Sequence, residues 1–208
     1  GLMQDWPLLC HKILDYAAIQ HGEREIVSRS VEGPIVRTTY ARARTRALKV
    51  AQLLEHAGYR EGDRIATLAW NTGNHLEAWY GINGIGAVYH TLNPRLFPEQ
   101  IAWIMNHAED KALFVDLTFL PLAEKIVPQV PSVRQVIVFT DAAHLPKTSL
   151  ANVVAYEEWL KDADGDFSWK SLDETAACGM CYTSGTTGDP KGVVYSHRSN
   201  VLHAMIAS

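Results

Sequence analysis

From residue 62 onward the chain alternates short apolar segments with longer amphipathic ones, and this rhythm restricts the folds open to it. Helices are predicted from a capping box of Asn74 and Glu77, from Pro98, over 120–126 and around Tyr156. Strands separated by helices favour a parallel sheet buried on both faces. We therefore predict an α/β fold with a mainly parallel sheet covered by helices on both faces. The strands are predicted at 65–70, 87–90, 112–115 and 136–139.

The first 61 residues predict two helices and a small β-hairpin. The first helix is expected over 6–20, and two extended runs, 26–31 and 35–39, are joined by a short Gly-Pro turn. Thr39 is predicted to cap a long amphipathic helix that stops before Gly58. The buried faces are expected to be Leu9, Ile13, Tyr16 and Ala17 in the first helix and Ala47, Val50, Ala51 and Leu54 in the second.

Composition excludes several classes of protein. Apolar residues make up 47% and charged residues 20% of 208, as in ordinary globular chains. The formal net charge of −4 argues against a nucleic-acid-binding protein. No uncharged apolar run approaches the roughly 20 residues of a membrane span, and no secretory signal is visible. Three cysteines without a glycosylation sequon indicate a reducing, cytoplasmic location.

The densest chemical signal is the segment 182–192, YTSGTTGDPKG, between predicted strands at 176–182 and 193–195. Its glycines tolerate positive φ values, so several backbone N–H groups can turn inward and form a nest for an anion. The hydroxyls add donors, and Lys191 adds a point charge suited to phosphate. The segment therefore predicts a phosphate-binding loop rather than a flexible linker, since a linker is seldom bracketed by two buried strands.

Two common motifs do not fit this segment. A P-loop requires a second glycine five residues after the first, but Pro190 lies five residues after Gly185. A nucleophile elbow requires glycine two residues before its serine, but Tyr182 precedes Ser184 at that distance. The loop is thus a phosphate-binding motif of another kind.

The segment 183–191 resembles the phosphate-binding signature of the adenylate-forming (AMP-binding) superfamily. Thr39-Tyr40, Gly62-Asp63-Arg64 and Asn93-Pro94 appear upstream in the order of that family. The run 90–101, HTLNPRLFPEQI, is most similar to medium- and long-chain fatty acyl-CoA ligases and their relatives acting on short thioether acids. The resemblance covers 1–208 as a partial N-terminal AMP-binding domain. We divide it into 1–61, an α/β subdomain at 62–175, and the phosphate-binding part at 176–208.

The resemblance implies a two-step ligase that uses ATP, Mg²⁺ and CoA. A carboxylate attacks the α-phosphorus of ATP and releases pyrophosphate, and the CoA thiol then displaces AMP. By similarity, the ATP phosphates are contacted by Thr183, Ser184, Thr186, Thr187 and Lys191, with Gly185 and Gly188 shaping the backbone.

The resemblance places every catalytic residue later in the protein, and none within this chain. The helical run at 200–208 ends without a stop signal, so we expect a fragment of a longer protein that is inactive alone. Three alternatives stay open: an adenylation domain that loads a carrier protein, one that makes an oxidised product, and a non-catalytic nucleotide-binding module. Small molecules are the expected partners, and a homodimer stays open.

Other residues favour structural interpretations. Cys178 and Cys181 are three apart in a strand and point to opposite faces, and Cys10 stands alone, so buried cysteines without a metal are predicted. His197 is expected to pack locally at a helix start. Solvated helix faces are predicted for Arg42, Arg46, Lys49 and the pair Glu157-Glu158, and core packing for Trp70, Trp79 and Trp103.

Overall fold

The computed structural model describes residues 2–183 and 189–207, which form two sheets with helices around the larger one. The small sheet pairs two antiparallel strands, β1 (Glu25–Arg29) and β2 (Ile35–Thr39). The large sheet has seven strands: β3 (Arg64–Leu68), β4 (Val88–Thr91), β5 (Ala112–Asp116), β6 (Gln135–Phe139), β7 (Val153–Ala155), β8 (Ala177–Thr183) and β9 (Lys191–Ser196). Their order is β7-β6-β5-β3-β4-β8-β9, and every neighbouring pair is parallel except β8 and β9.

Helices follow most strands along the chain. The α-helices are α1 (His11–Gln20), α2 (Tyr40–His56), α3 (Gly73–Gly84), α4 (Pro98–Ala108), α5 (Leu120–Ile126), α6 (Tyr156–Trp159) and α7 (His197–Ala207). Short 3₁₀ turns lie at Leu117–Phe119, Val127–Gln129 and Leu160–Asp162.

The two faces of the large sheet are buried against different helices. On β5, Phe114 belongs to the apolar cluster that includes residues of α2, α3 and α6. Its neighbours Leu113 and Val115 belong to the cluster that includes residues of α4 and α5. Successive strand residues point to opposite faces, so one continuous apolar run serves both layers. The predicted α/β fold, with a mainly parallel sheet covered on both faces, is confirmed.

Local signals at the ends of elements are also confirmed. The Thr39 hydroxyl accepts the backbone N–H of Arg42 at 3.3 Å and caps α2. Gly58 follows α2 with φ of +81°, a value that favours glycine. The hairpin register runs from Glu25 opposite Thr39 to Arg29 opposite Ile35.

The first helix differs from the prediction over 6–20. It begins at His11, because the carboxylate of Glu174 accepts the backbone N–H of Leu8 at 2.8 Å and fixes the preceding residues by a distant contact. Its buried residues are His11 and Leu14, whereas Tyr16 is 63% exposed. The expected burial of Tyr16 is therefore wrong.

Two further elements depart from their sequence signals. Helix α3 is capped by Thr72, whose hydroxyl accepts the N–H of His75 at 3.3 Å, and not by a box of Asn74 and Glu77. Those two side chains bind Arg46 instead, at 3.5 and 2.8 Å. Helix α6 has four residues, and strand β7 escaped prediction because three residues carry too little periodicity.

Glycine permits the close approach of α2 and α3. A Cβ atom added to Gly81 would lie 2.5 Å from the Cγ1 atom of Val50 and 2.9 Å from the carbonyl oxygen of Ala47. A Cβ atom on Gly73, in the same helix, would meet only ordinary contacts, the nearest at 3.5 Å.

This difference gives a test of the helix packing. Gly81→Ala gains about 1 kcal/mol of helix propensity but overpacks the interface, which costs about 1–3 kcal/mol. We expect a lower midpoint of urea denaturation for Gly81→Ala and an unchanged or higher midpoint for Gly73→Ala. Tryptophan fluorescence measures the unfolding of both variants. Equal midpoints for the two variants would contradict the packing described above.

Candidate functional site

The predicted phosphate loop starts and ends on two residues that face each other. Thr183, the last residue of β8, is the register partner of Lys191, the first residue of β9. The Thr183 hydroxyl donates to the carbonyl oxygen of Lys191 at 3.5 Å. The structure thus brings the first and last predicted contact residues together. The other predicted residues lie outside the described part of the chain: Ser184, Gly185, Thr186, Thr187 and Gly188.

The position of β8 in the sheet decides where this loop emerges. Strand β8 runs parallel to β4, with Thr91 opposite Cys181, so both strands end at the same edge. In open α/β sheets, ligands bind at the carboxyl ends of the strands. The loop therefore begins where such a sheet places its ligands.

Tyr182 anchors the base of the loop to helix α4. Its hydroxyl is hydrogen bonded to Nδ1 of His107 at 2.6 Å, and its ring meets Trp103 edge-on at 6.5 Å between centroids. A Cβ atom on Gly192 would lie 3.1 Å from Cζ of Tyr182, a tight contact, so the glycine leaves space for the Tyr182 ring. Sequence reasoning missed this contact, because His107 and Tyr182 are 75 residues apart.

A buried histidine and aspartate lie beside the same strand. Nδ1 of His90 is 2.8 Å from Oδ2 of Asp110, and both side chains are fully buried. Burial raises the pKa of Asp110, and the hydrogen bond from His90 opposes that rise. Nε2 of His90 has no hydrogen-bond partner among the described residues. His90 also lines a cavity of about 190 Å³, together with Leu92, Leu96, Ile101, Ile104, Cys181 and Tyr182.

A second polar cluster lies where β3, β5 and β6 end. The Arg46 guanidinium donates to both carboxylate oxygens of Glu157, at 2.7 and 3.0 Å, and to Glu77 at 2.8 Å. The Tyr156 hydroxyl donates to Glu77 at 3.0 Å. Burial raises the pKa of Glu77 to about 7, while Arg46 opposes the rise. These groups border a polar cavity of about 340 Å³.

This cluster corrects the prediction of solvated helix faces. The Arg46 side chain is only 15% exposed, because it pairs with the buried Glu77 and with the more exposed Glu157. Arg42 lies on the exposed side of the same helix, as predicted. The side chains of Glu157 and Glu158 are 38% and 41% exposed, and Glu158 pairs with Lys161 at 2.7 Å. The prediction of a solvated face therefore holds for both glutamates, although Glu157 also binds Arg46.

The statement that Cys10 stands alone is also wrong. Its Sγ atom lies 3.9 Å from Sγ of Cys178, although 168 residues separate the two in sequence. The Nδ1 atom of His197 accepts the backbone N–H of Cys10 at 3.3 Å, and burial lowers the pKa of His197 to about 4. Cys181 is on the other face of β8, 3.6 Å from the Tyr195 hydroxyl. The predicted opposite directions of Cys178 and Cys181 are confirmed. His197 begins α7 as predicted, but its ring contacts Cys10, 187 residues away, and so does not pack locally.

The three tryptophans that were expected to pack in the core differ in their burial. Trp79 is partly buried against the cluster of Cys10, Cys178 and Val201. Trp70 is 51% exposed and Trp103 38% exposed, so the expectation of core packing is wrong for both.

Among the residues that the structure describes, no helix is long and apolar enough to cross a membrane.

Comparisons with known proteins agree with this geometry. The chain is 46% identical over 204 residues to a 3-methylmercaptopropionyl-CoA ligase of Ruegeria pomeroyi, covering 98% of this chain and 38% of that protein. It is 47% identical over 207 residues to a long-chain-fatty-acid–CoA ligase of Thermus thermophilus, covering 99% of this chain and 36% of that protein. The chain thus spans well under half the length of these relatives.

Solved structures share the fold. A crystal structure of an anthranilate CoA ligase in complex with anthranoyl-AMP superposes with a TM-score of 0.84 at 23% identity, covering 98% of this chain and 38% of that one. The sequence profile of the family described as AMP-binding enzyme matches residues 14–208. This match covers most of the chain and shows that the chain belongs to the AMP-binding enzyme family.

Proposed function

We propose that the protein carrying this chain is an ATP-dependent acid–thiol ligase that adenylates a carboxylic acid and transfers the acyl group to CoA. The chain is its partial N-terminal AMP-binding domain and contains the residues that bind the ATP phosphates. A fatty acid or a related small carboxylic acid is the proposed substrate.

Family membership and the names of relatives support this proposal. The relatives include the two CoA ligases above and a medium-chain-fatty-acid–CoA ligase of Ectopseudomonas oleovorans, 42% identical over 205 residues. These proteins differ in the acid that they are named for, so their names support the reaction class more than any particular acid.

The observation that carries the proposal is the pairing of Thr183 with Lys191 at the base of the loop. Strand pairing fixes both backbones, so the hydroxyl and the ammonium group start from defined positions beside the intervening loop. Donors that are fixed before the reaction stabilise developing charge without reorganising. We propose that Ser184, Gly185, Thr186, Thr187 and Gly188 complete the phosphate contacts.

In the proposed first step, a carboxylate oxygen attacks the α-phosphorus. The bond from that phosphorus to the bridging oxygen breaks, and pyrophosphate leaves with the electron pair. Negative charge grows on the departing β- and γ-phosphates, which is the charge that Lys191 and the hydroxyls oppose. Mg²⁺ would neutralise part of the same charge, and by resemblance the glutamate that binds this ion belongs to a later part of the protein.

In the proposed second step, the CoA sulfur attacks the acyl carbon. The carbon–oxygen bond to AMP breaks, AMP leaves with that electron pair, and the thiol proton passes to water. By resemblance, the groups that serve this step belong to later parts of the protein.

Lys191 provides the first test, in the full-length protein. Removing one charge-assisted hydrogen bond costs about 1.5–3 kcal/mol, which is about 10- to 150-fold in rate. We expect Lys191→Ala to slow ATP–pyrophosphate exchange by that factor, and Lys147→Ala, which changes an exposed lysine far along the chain, to leave it unchanged. Equal rates for the two variants would remove Lys191 from the site.

Thr183 allows a test at nearly constant volume. Thr183→Val deletes the hydroxyl and is expected to raise the KM for ATP, whereas Thr183→Ser keeps the hydroxyl and should stay close to the parent. The readout is pyrophosphate exchange across a series of ATP concentrations. A valine variant that matches the serine variant would contradict the proposed contact.

The share of the reaction that this chain performs can be measured directly. We expect the 208-residue chain to form no acyl-CoA from ATP, CoA and a panel of carboxylic acids, while the full-length protein forms it. Circular dichroism of the 208-residue chain serves as the folding control. Product from the folded chain alone would contradict the assignment of catalytic groups to later residues. Nucleotide binding by a full-length protein that forms no product would favour a non-catalytic module.

A further inference from the structure

Three potential metal ligands from distant parts of the chain meet away from the phosphate loop. Cys10 immediately precedes α1, Cys178 lies in β8, and His197 begins α7. One ligand atom from each, the two sulfurs and a ring nitrogen, lies within 4.8 Å of the other two. All three residues are buried. We propose that Cys10, Cys178 and His197 form a binding site for a soft divalent cation, of which Zn²⁺ is the expected occupant.

The sulfur separation fits this ion. Zinc–thiolate bonds of about 2.3 Å at the tetrahedral angle place two sulfurs about 3.8 Å apart. Sγ of Cys10 and Sγ of Cys178 are 3.9 Å apart. A disulfide needs about 2.05 Å, so the two thiols are not bonded to each other, and their separation is close to the one that a shared zinc ion requires.

The histidine is prepared to bind as a neutral ligand. Its Nδ1 atom accepts the Cys10 N–H at 3.3 Å, so the ring lone pair faces Cys10, and a bound metal would replace this hydrogen bond. Its Nε2 atom is buried and has no hydrogen-bond partner among the described residues. Zinc would engage a ring nitrogen and leave a water molecule in the fourth position, as in sites with three protein ligands.

Charge balance favours a divalent ion. Binding replaces the two thiol protons, which pass to water, and two thiolates with a neutral imidazole then cancel the charge of Zn²⁺. A neutral site suits the apolar surroundings of Leu8, Ile13, Trp79 and Val201. Asn200 donates its side-chain N–H to Cys178 Sγ at 2.8 Å, an outer hydrogen bond of the kind that tunes thiolate ligands.

The site would join the N-terminal segment to the strand that carries the phosphate loop. Cys178 lies in β8 at five residues before Thr183. A bound ion would therefore add a link between elements that hydrogen bonds and apolar contacts already connect, and this link should raise thermal stability.

Co²⁺ titration and zinc analysis provide the test. The intact protein is reduced, stripped with a chelator and titrated anaerobically with Co²⁺, then with competing Zn²⁺. We expect one equivalent of metal, a sulfur-to-cobalt charge-transfer band, and a higher melting temperature with Zn²⁺. Cys10→Ser, Cys178→Ser and His197→Ala should weaken binding by more than about tenfold.

The chain offers matched controls. Cys181→Ser changes the cysteine on the opposite face of the same strand, and His203→Ala changes an exposed histidine in α7. Both should bind metal like the parent. Loss of binding in these controls equal to that in the ligand variants would overturn the proposal, as would the absence of a charge-transfer band in the parent.

A second measurement needs no variants and therefore tests the site even if the substituted proteins do not fold. Alkylation of the unsubstituted protein, read by mass spectrometry, should label Cys10 and Cys178 faster after chelation and leave Cys181 unaffected. Equal labelling with and without metal would overturn the site. So would a disulfide between Cys10 and Cys178 in the protein as isolated, because oxidised sulfurs cannot bind zinc.

Discussion

The parallel pairing of β4 with β8 is the interaction on which the candidate site depends. It inserts β8 into the sheet although 85 residues of chain, 92–176, lie between the two strands. With β8 in that place, β9 folds back antiparallel beside it, and Thr183 and Lys191 become neighbours at the carboxyl edge. Tyr182 then reaches His107 on α4. Each feature of the loop base follows from one ladder of backbone hydrogen bonds.

Buried polar groups make the fold specific around that ladder. Arg46 and Glu77 would each be costly to bury alone, and they satisfy one another across α2 and α3, with the more exposed Glu157 of α6 as a second partner of Arg46. His90 and Asp110 do the same beside β4. Such pairs stabilise only the packing that brings both partners together, so they favour this packing of the helices over alternative ones.

The sequence correctly predicted the features that depend on residues close together in the chain. The Thr39 cap, the proline start of α4 and the bounds of α5 at 120–126 all arise within a few residues of chain. It failed where a distant partner competes for a side chain. Glu77 and Asn74 have the spacing of a capping box, but Arg46 takes both, and Thr72 caps the helix. Of the candidate site, the sequence supplied the residues and the structure supplied the pairing of Thr183 with Lys191.

Periodicity, caps and the glycine-rich segment determined the α/β class, most element positions and the place of the proposed phosphate loop in the chain, because these signals are local. The tertiary structure alone decided which strand lies next to β4, that Arg46 is paired and buried, and that Cys10 lies beside Cys178 and His197. Contacts between residues far apart in the chain depend on how whole layers pack, and no short window of sequence contains that information.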